Sequence, residues 1–163
     1  MQWHELAWTD PINGTLNRHR ANCVTFNYGQ VIVGDWQNGK LYAFDPHNFT
    51  DANNPITRLR TIPHVIPNGQ RLRVNQLMAD VQGGTLTSAT PDNPPQIYLR
   101  TSVDRGGSYG NPIQGNFGAA GDYGQFPFWR NLGYARDFVF ELSWSEPINT
   151  ALNGIFIEGD LET

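Results

Sequence analysis

Several residue types are scarce in this chain of 163 residues, and each scarcity excludes a class of structure. The single cysteine, Cys23, excludes an intrachain disulfide and any multi-cysteine metal site. No stretch approaches the ~20 apolar residues of a membrane helix, and residues 1–5 lack the basic and apolar regions of a secretory signal. We therefore expect a soluble protein without a membrane partner, made in a reducing compartment. Cys23 lies in a predicted strand and is interpreted as a core residue.

Positive charge is also limited, and Lys40 is the only lysine. The net charge of −4 argues against a general nucleic-acid binder and predicts no sequence-specific nucleic-acid partner. Arginine favours protein interfaces because its planar fork makes bidentate and stacked contacts. Codon bias in a high-GC genome explains the same imbalance equally well.

The sequence contains no recognisable cofactor or metal signature. The four histidines are scattered, without the short spacings of a zinc site; they are His4, His19, His47 and His64. Phosphate-loop, dinucleotide and nucleophile-elbow motifs are absent. We therefore predict no cofactor, no metal and no catalytic residues.

Glycine, proline and aromatic residues are abundant, with 17 Gly, 11 Pro and 12% aromatics. Glycine and proline are disfavoured in helix interiors, whereas aromatics suit pleated surfaces. This composition predicts an all-β protein. Asn38-Gly39 between two apolar runs predicts a type I′ hairpin.

The strand pattern predicts two domains. Residues 1–55 hold three or four short strands, which amount to about one propeller blade of ~45 residues. Longer strands with Gly- and Pro-rich connections predict a β-sandwich over residues 56–163. Within it, the run 71–81 loses its alternation near Asn75-Gln76, which predicts a β-bulge. Alternation is clearest in residues 138–144, where Phe and Leu face one side and Glu and Ser the other.

The most specific local motif is an Asp-box in the predicted sandwich. Its residues are Ser102, Asp104, Gly106, Gly107 and Tyr109. We expect Asp104 to accept backbone N–H groups across the turn, the two glycines to supply positive φ, and Tyr109 to anchor the turn in the core. Asp-boxes recur in sialidase propellers as folding devices, so a structural role is favoured. A sialidase-like glycoside hydrolase remains an alternative, although no spacing selects the two carboxylates that it needs.

Two segments are candidate interfaces. Residues 105–127 lack usable periodicity and predict a long loop, which is uncommon unless it makes contacts. An aromatic run at its end and a basic cluster near the N-terminus supply the candidate residues, which are Tyr123, Phe126, Phe128 and Trp129 with Arg18, His19 and Arg20. Such aromatics suit a protein interface, and a carbohydrate- or receptor-binding module is the alternative function.

A succession of short motifs across almost the whole chain resembles a known family. In order they are Trp3-His4-Glu5, Arg18-His19-Arg20, Val33-Gly34-Asp35, Asn38-Gly39-Lys40-Leu41-Tyr42, Pro55-Ile56-Thr57-Arg58, Thr61-Ile62-Pro63-His64, Arg100-Thr101-Ser102, Asp104-Arg105-Gly106-Gly107, residues 129–141 and Ser145-Glu146-Pro147. The succession is similar to the C-terminal region of the tail-hub, or packaged-DNA stabilisation, proteins of short-tailed bacteriophages.

The resemblance implies a structural role in the virion, for a protein made in the host cytoplasm. Hub proteins of this family form a ring, usually of six copies, below the portal and its adaptor. They extend the DNA channel, help retain the genome, and anchor tail spikes and the needle or plug. No catalytic residues are implied, so we expect the protein not to be an enzyme.

The resemblance also implies a β-propeller before the sandwich, and this sequence holds at most one blade of it. We therefore expect a fragment, a split or degenerate gene, or an alternative packing of residues 3–45, since a lone blade leaves apolar faces and strand edges open.

Overall fold

The structure is a computed structural model that describes residues 5–83, 94–119, 121–122 and 124–162. The chain divides into two compact units, Met1–Ile56 (unit 1) and Thr57–Thr163 (unit 2). Every regular element in the described residues is a β-strand, so the all-β prediction is confirmed. No helix in the described ranges has the length and apolarity needed to cross a membrane.

Unit 1 contains three small antiparallel sheets. Its strands are β1 (Ala7–Thr9), β2 (Leu16–Arg18), β3 (Ala21–Asn27), β4 (Gln30–Asp35), β5 (Leu41–Phe44), β6 (Thr50–Asp51) and β7 (Asn54–Pro55). Strands β1 and β2 pair, as do β6 and β7, and β3-β4-β5 form the largest sheet in that order. On one face of this sheet, Val24, Phe26, Val31 and Phe44 are all exposed. Cys23, predicted to be a core residue, is also exposed.

Two hairpins join the strands of the largest sheet by different turns. Tyr28 and Gly29 connect β3 to β4 and both have positive φ, as a type I′ turn requires. The predicted hairpin at Asn38-Gly39 is confirmed, but the predicted turn type is wrong, because only Gly39 has positive φ. Instead, Asp35 Oδ1 accepts the backbone N–H of Gln37 at 2.6 Å and closes a wider loop.

Unit 2 consists of two sheets. Its strands are β8 (Arg58–Thr61), β9 (Arg71–Gly83), β10 (Gln96–Ser102), β11 (Ile113–Asn116), β12 (Phe128–Arg130), β13 (Tyr134–Ala135), β14 (Val139–Trp144) and β15 (Thr150–Glu162). One sheet has the order β11-β10-β14-β8. In the other, the long strand β9 pairs with β15 along one edge and with β12 and then β13 along the other.

The inner faces of the two sheets share one hydrophobic core, which confirms the predicted sandwich. Strand β14 contributes Phe138 from its flank, Phe140, Leu142 and Trp144, the side predicted to be apolar. Strand β10, in the same sheet, contributes Ile97 and Leu99, and the facing residues of β9 are Leu72, Val74, Leu77, Ala79 and Val81. The rings of Phe138 and Phe140 stack at 5.3 Å between centroids.

The pairing of β9 with β15 contains two β-bulges. Asn75 is the extra residue on β9, since Glu158 pairs with Gln76 and Gly159 with Val74. The bulge predicted near Asn75-Gln76 is therefore confirmed. Asn153 is the extra residue on β15, between Leu152 and Gly154.

Candidate functional site

A row of three apolar side chains crosses the outer face of the β9 sheet. Phe128 of β12 and Phe156 of β15 both pair with Met78 of β9. Directly paired residues on neighbouring strands project to the same face, so these side chains lie side by side. Phe128 is 50% exposed and Phe156 57% exposed. We call Phe128, Met78 and Phe156 the aromatic row.

An arginine is held against one end of this row. The guanidinium carbon of Arg130 lies 4.9 Å from the centroid of the Phe128 ring. Its Nε donates a hydrogen bond to Gln76 Oε1 at 3.3 Å, and Gln76 pairs in turn with Glu158. A guanidinium stacked on an aromatic face loses part of its freedom before any partner arrives, which favours its use in an interface.

The other predicted aromatic contacts have different environments. Phe126 is 40% exposed and lines a small cavity next to the aromatic row. Tyr123 lies outside the described residues.

Trp129 is only 3% exposed, so its prediction as a surface contact is wrong. It alternates with the outward-facing Phe128 and Arg130 on β12 and therefore points into the core. Its indole Nε1 donates to the carbonyl of Ile113 at 3.0 Å. A Cβ added at Gly115 would lie 2.9 Å from the ring, so the indole packs directly on that backbone.

The basic cluster of unit 1 makes contacts within its own unit. Arg18 donates to Asn22 Oδ1 at 2.7 Å, and its guanidinium lies 5.5 Å from the Trp36 ring. The His19 ring is tilted against Phe44 at 6.5 Å.

Arg20 stacks over Trp8 at 4.2 Å, and its NH1 lies 3.9 Å from a carboxylate oxygen of the buried Asp35. This pair joins β4 to the segment that precedes β3. These contacts therefore stabilise unit 1. Only the parts of these side chains that remain exposed are available for the proposed interface.

The turn that follows β10 is closed by side-chain hydrogen bonds. The Ser102 hydroxyl donates to Asp104 Oδ1 at 2.6 Å and accepts the N–H of Gly106 at 2.9 Å. Asp104 also accepts the N–H and the hydroxyl of Ser108, at 2.8 and 2.6 Å. Both oxygens of this carboxylate are thus engaged inside the turn.

These hydrogen bonds decide what Asp104 can do chemically. The Ser102 hydroxyl, followed by the hydroxyl and N–H of Ser108, stabilises the ionised form and lowers the pKa of Asp104 well below its ordinary value of 3.8. A glycosidase acid needs a raised pKa instead. The geometry therefore suits a structural role, in which Asp104 holds the turn closed.

Two details of this turn differ from the expected ones. The left-handed residues are Arg105 (φ 64°) and Gly106 (φ 86°), while Gly107 has no positive φ. A Cβ at Gly107 would lie 3.3 Å from Asp104 atoms, so a side chain there would crowd the turn. Tyr109 is only half-buried, and its ring lies 5.1 Å from the Arg100 guanidinium instead of anchoring in the core.

A polar cluster that the sequence did not predict lies just before the start of β14. His64 Nδ1 is 2.8 Å from Asp137 Oδ1, and Arg105 Nε is 3.4 Å from Asp137 Oδ2. The first two residues are 73 positions apart, so only the fold brings them together. In the part of the chain that the structure describes, no three His, Cys, Asp or Glu side chains are grouped as a metal site requires.

Comparison with known proteins identifies the β-sandwich. Residues 57–160 match the family model described as bacteriophage P22 Gp10, β-sandwich. The match covers more than half of the chain, including the aromatic row and the turn at Asp104. No curated protein matches the chain.

Proposed function

This chain belongs to the bacteriophage P22 Gp10 β-sandwich family and is a phage tail structural protein of the virion; from this premise we propose that it is part of the hub of a short tail. In this role it lies in a ring below the portal and extends the DNA channel. It helps to retain the packaged DNA and anchors the portal adaptor, the tail spike and the needle or plug. Its work is done by contacts and needs no catalysis.

The observation that carries this proposal is the aromatic row with its stacked arginine. Subunits in a closed ring meet through heterologous interfaces, in which one face of each complements a different face of its neighbour. Aromatic residues, methionine and arginine are the types enriched in such interfaces. Phe128, Met78 and Phe156 with Arg130 supply all of these on one outer face of the sandwich.

The charge of the chain is compatible with a DNA channel. Basic residues that neutralise phosphates bind DNA tightly and would retard its passage. A net charge of −4 instead provides a surface on which DNA is not held. In this proposal the hub therefore retains the genome by closing the channel and not by binding the DNA.

The chemistry of the turn at Asp104 supports a structural role in the same way. A general acid must hold a proton near the working pH, whereas the hydrogen bonds to Asp104 keep it ionised. The turn fixes the exit of β10 and positions Arg105 next to Asp137.

The test is to locate the protein in the virion and then remove the aromatic row. Antibody against this chain, detected with gold in electron microscopy, is expected to label only the short tail below the portal. A phage that carries Phe128→Ala and Phe156→Ala is expected to give particles with incomplete tails that lose DNase-protected DNA. The matched control is Tyr98→Ala, which removes an exposed aromatic from the other sheet.

Two results would contradict the proposal. One is the absence of label on tails that a control antibody decorates. The other is a double variant with tails, genome retention and titre equal to those of the Tyr98→Ala control.

A further inference from the structure

A small cavity opens beside the aromatic row, at the far end of β9 from the chain's last residues. Its volume is about 300 Å³, which is the lower limit of typical ligand sites. One wall comes from β9 and β15, through Asp80, Gln82 and Asn153. The opposite wall comes from four described residues between β11 and β12, which are Phe117, Asp122, Gln125 and Phe126.

That opposite wall combines an aromatic surface with polar side chains. Phe126 is partly exposed and supplies an apolar face, while Asp122 and Gln125 supply polar groups. Phe117 lies buried beneath and packs edge-on against Trp144 at 6.4 Å. The cavity is therefore lined by one accessible ring, two carboxylates and three amides.

Two of the three amides are held in place by hydrogen bonds. Asn153 is the extra residue of the second bulge, and its Nδ2 lies 3.4 Å from Asp80 Oδ1. Bulges re-aim side chains in this manner next to functional sites. Gln125 Nε2 donates to Asn116 Oδ1 at 2.6 Å, and a Cβ added at Gly118 would lie 3.2 Å from Gln125.

We propose that this cavity binds one neutral pyranose unit of a glycan. An aromatic ring stacks against the C–H face of a sugar, and carboxylates and amides together accept from and donate to its neighbouring hydroxyls. No Lys or Arg is among the described residues that line the cavity. Asp80 and Asp122 therefore select against uronic and sialic acids, and against phosphorylated ligands, by like-charge repulsion.

This binding activity does not depend on the proposed place of the protein in the tail. A virion position below the portal and a sugar site are separate properties. Failure of the tail-labelling experiment would leave the sugar site standing, and failure of the sugar experiment would leave the hub proposal standing.

The experiment measures binding of methyl glycosides to the 163-residue chain by saturation-transfer NMR and titration calorimetry. The neutral probes are the methyl glycosides of glucose, galactose, mannose, rhamnose and N-acetylglucosamine, and the anionic probes are methyl glucuronide and N-acetylneuraminic acid. We expect at least one neutral probe to bind with millimolar affinity and both anionic probes to bind more weakly.

Variants locate the site. Phe126→Ala and Asp122→Ala are each expected to weaken binding of the neutral probe about tenfold, the effect of losing one stacking or charge-assisted contact. Phe128→Ala is the matched control, since it removes another exposed phenylalanine, two positions away, that is not among the residues lining the cavity, and we expect this variant to bind the neutral probe normally. Thermal unfolding of each variant verifies that it is folded.

The proposal is overturned by any of three outcomes. They are no binding of any neutral probe, normal binding by both folded cavity variants, and equal loss of binding in the Phe128→Ala control. Binding of an anionic probe as tight as the best neutral one would overturn the assigned ligand class.

Discussion

Replacing Gly159 by alanine tests the register of the two longest strands. Gly159 pairs with Val74 immediately after the bulge at Asn75. A Cβ added there would fall well within the contact distance of the Arg73 carbonyl oxygen and 3.1 Å from Leu72 Cδ1. Because the closest atom is backbone on a paired strand, it cannot rotate away, and β9 and β15 must separate locally.

The expected cost follows from two opposing effects. Overpacking costs about 1–3 kcal/mol, and a rigid backbone neighbour places this site at about 3. Gly→Ala also reduces the entropy of the unfolded chain and returns about 0.4–1 kcal/mol. Gly159→Ala should therefore lower the free energy of unfolding by roughly 2 kcal/mol. For a unit of this size, the melting temperature should fall by at least about 8 °C.

Gly154→Ala is the matched control on the same strand. A Cβ at Gly154 meets only ring atoms of Phe156 at 3.8 Å, which is ordinary contact. We expect its melting temperature to be unchanged or slightly raised. Thermal and urea unfolding of the two variants, followed by near-UV circular dichroism, makes the comparison. Equal shifts in both variants would refute the close approach of Gly159 to β9, and with it the described register.

Three further outcomes are expected. Asp104→Asn should be less stable than the wild type above pH 4, because a carboxylate with a lowered pKa stabilises the fold only while it is ionised. The difference in stability should shrink as the pH falls below the ordinary aspartate pKa (~4). Urea midpoints across about pH 2.5–7, a range that spans this ordinary value, give the result, and a constant difference would contradict it. Trp129→Phe should cost about 1–3 kcal/mol in urea unfolding, since the Ile113 carbonyl loses the indole N–H that it accepts, and a change under about 0.5 kcal/mol would refute this. Phe128→Ala should leave the free energy of unfolding within about 0.5 kcal/mol of the wild-type value, so that a defect of the virion can be assigned to lost contacts. Marked destabilisation in urea unfolding would contradict that assignment.

The strands with a clean period were predictable from the sequence, and the burial of their outer faces was not. The apolar side of β14 was predicted from alternation, yet Val139 and Glu141 on its other side are also buried. Glu141 accepts from Arg100 at 3.3 Å, and Arg100 lies against Tyr109. This contact comes from Arg100 on the neighbouring strand β10, 41 positions earlier in the chain. Local periodicity contains no information on a contact between residues so far apart in the chain.

The segment 105–127 was predicted as a loop, and part of that prediction is wrong. Residues Ile113–Asn116 form β11 on the edge of the β10 sheet. Their sequence, Ile-Gln-Gly-Asn, lacks β-branched alternation, and a glycine stands where the Trp129 ring approaches. Tertiary packing has overridden weak local propensity at this edge. The same packing explains why Trp129, read as part of an exposed aromatic run, is buried.

The set of side chains on the outer face of the β9 sheet depends on the bulge at Asn153. Leu152 and Ile155 both face the core although they are three positions apart, because the extra residue Asn153 changes the side to which β15 alternates. If β15 alternated regularly through Asn153 without a bulge, Phe156 would point inward and Ile155 outward.

One bulge therefore exposes Phe156 in the aromatic row and also aims Asn153 into the cavity. The same bulge therefore shapes both the aromatic row and the cavity, although different side chains form them. A change in the register of β15 against β9 at Asn153 should disturb both surfaces together, whereas Phe126→Ala should affect only sugar binding and Phe128→Ala only tail assembly. The two proposed activities can thus be separated by side chain even though a single strand pairing supports them.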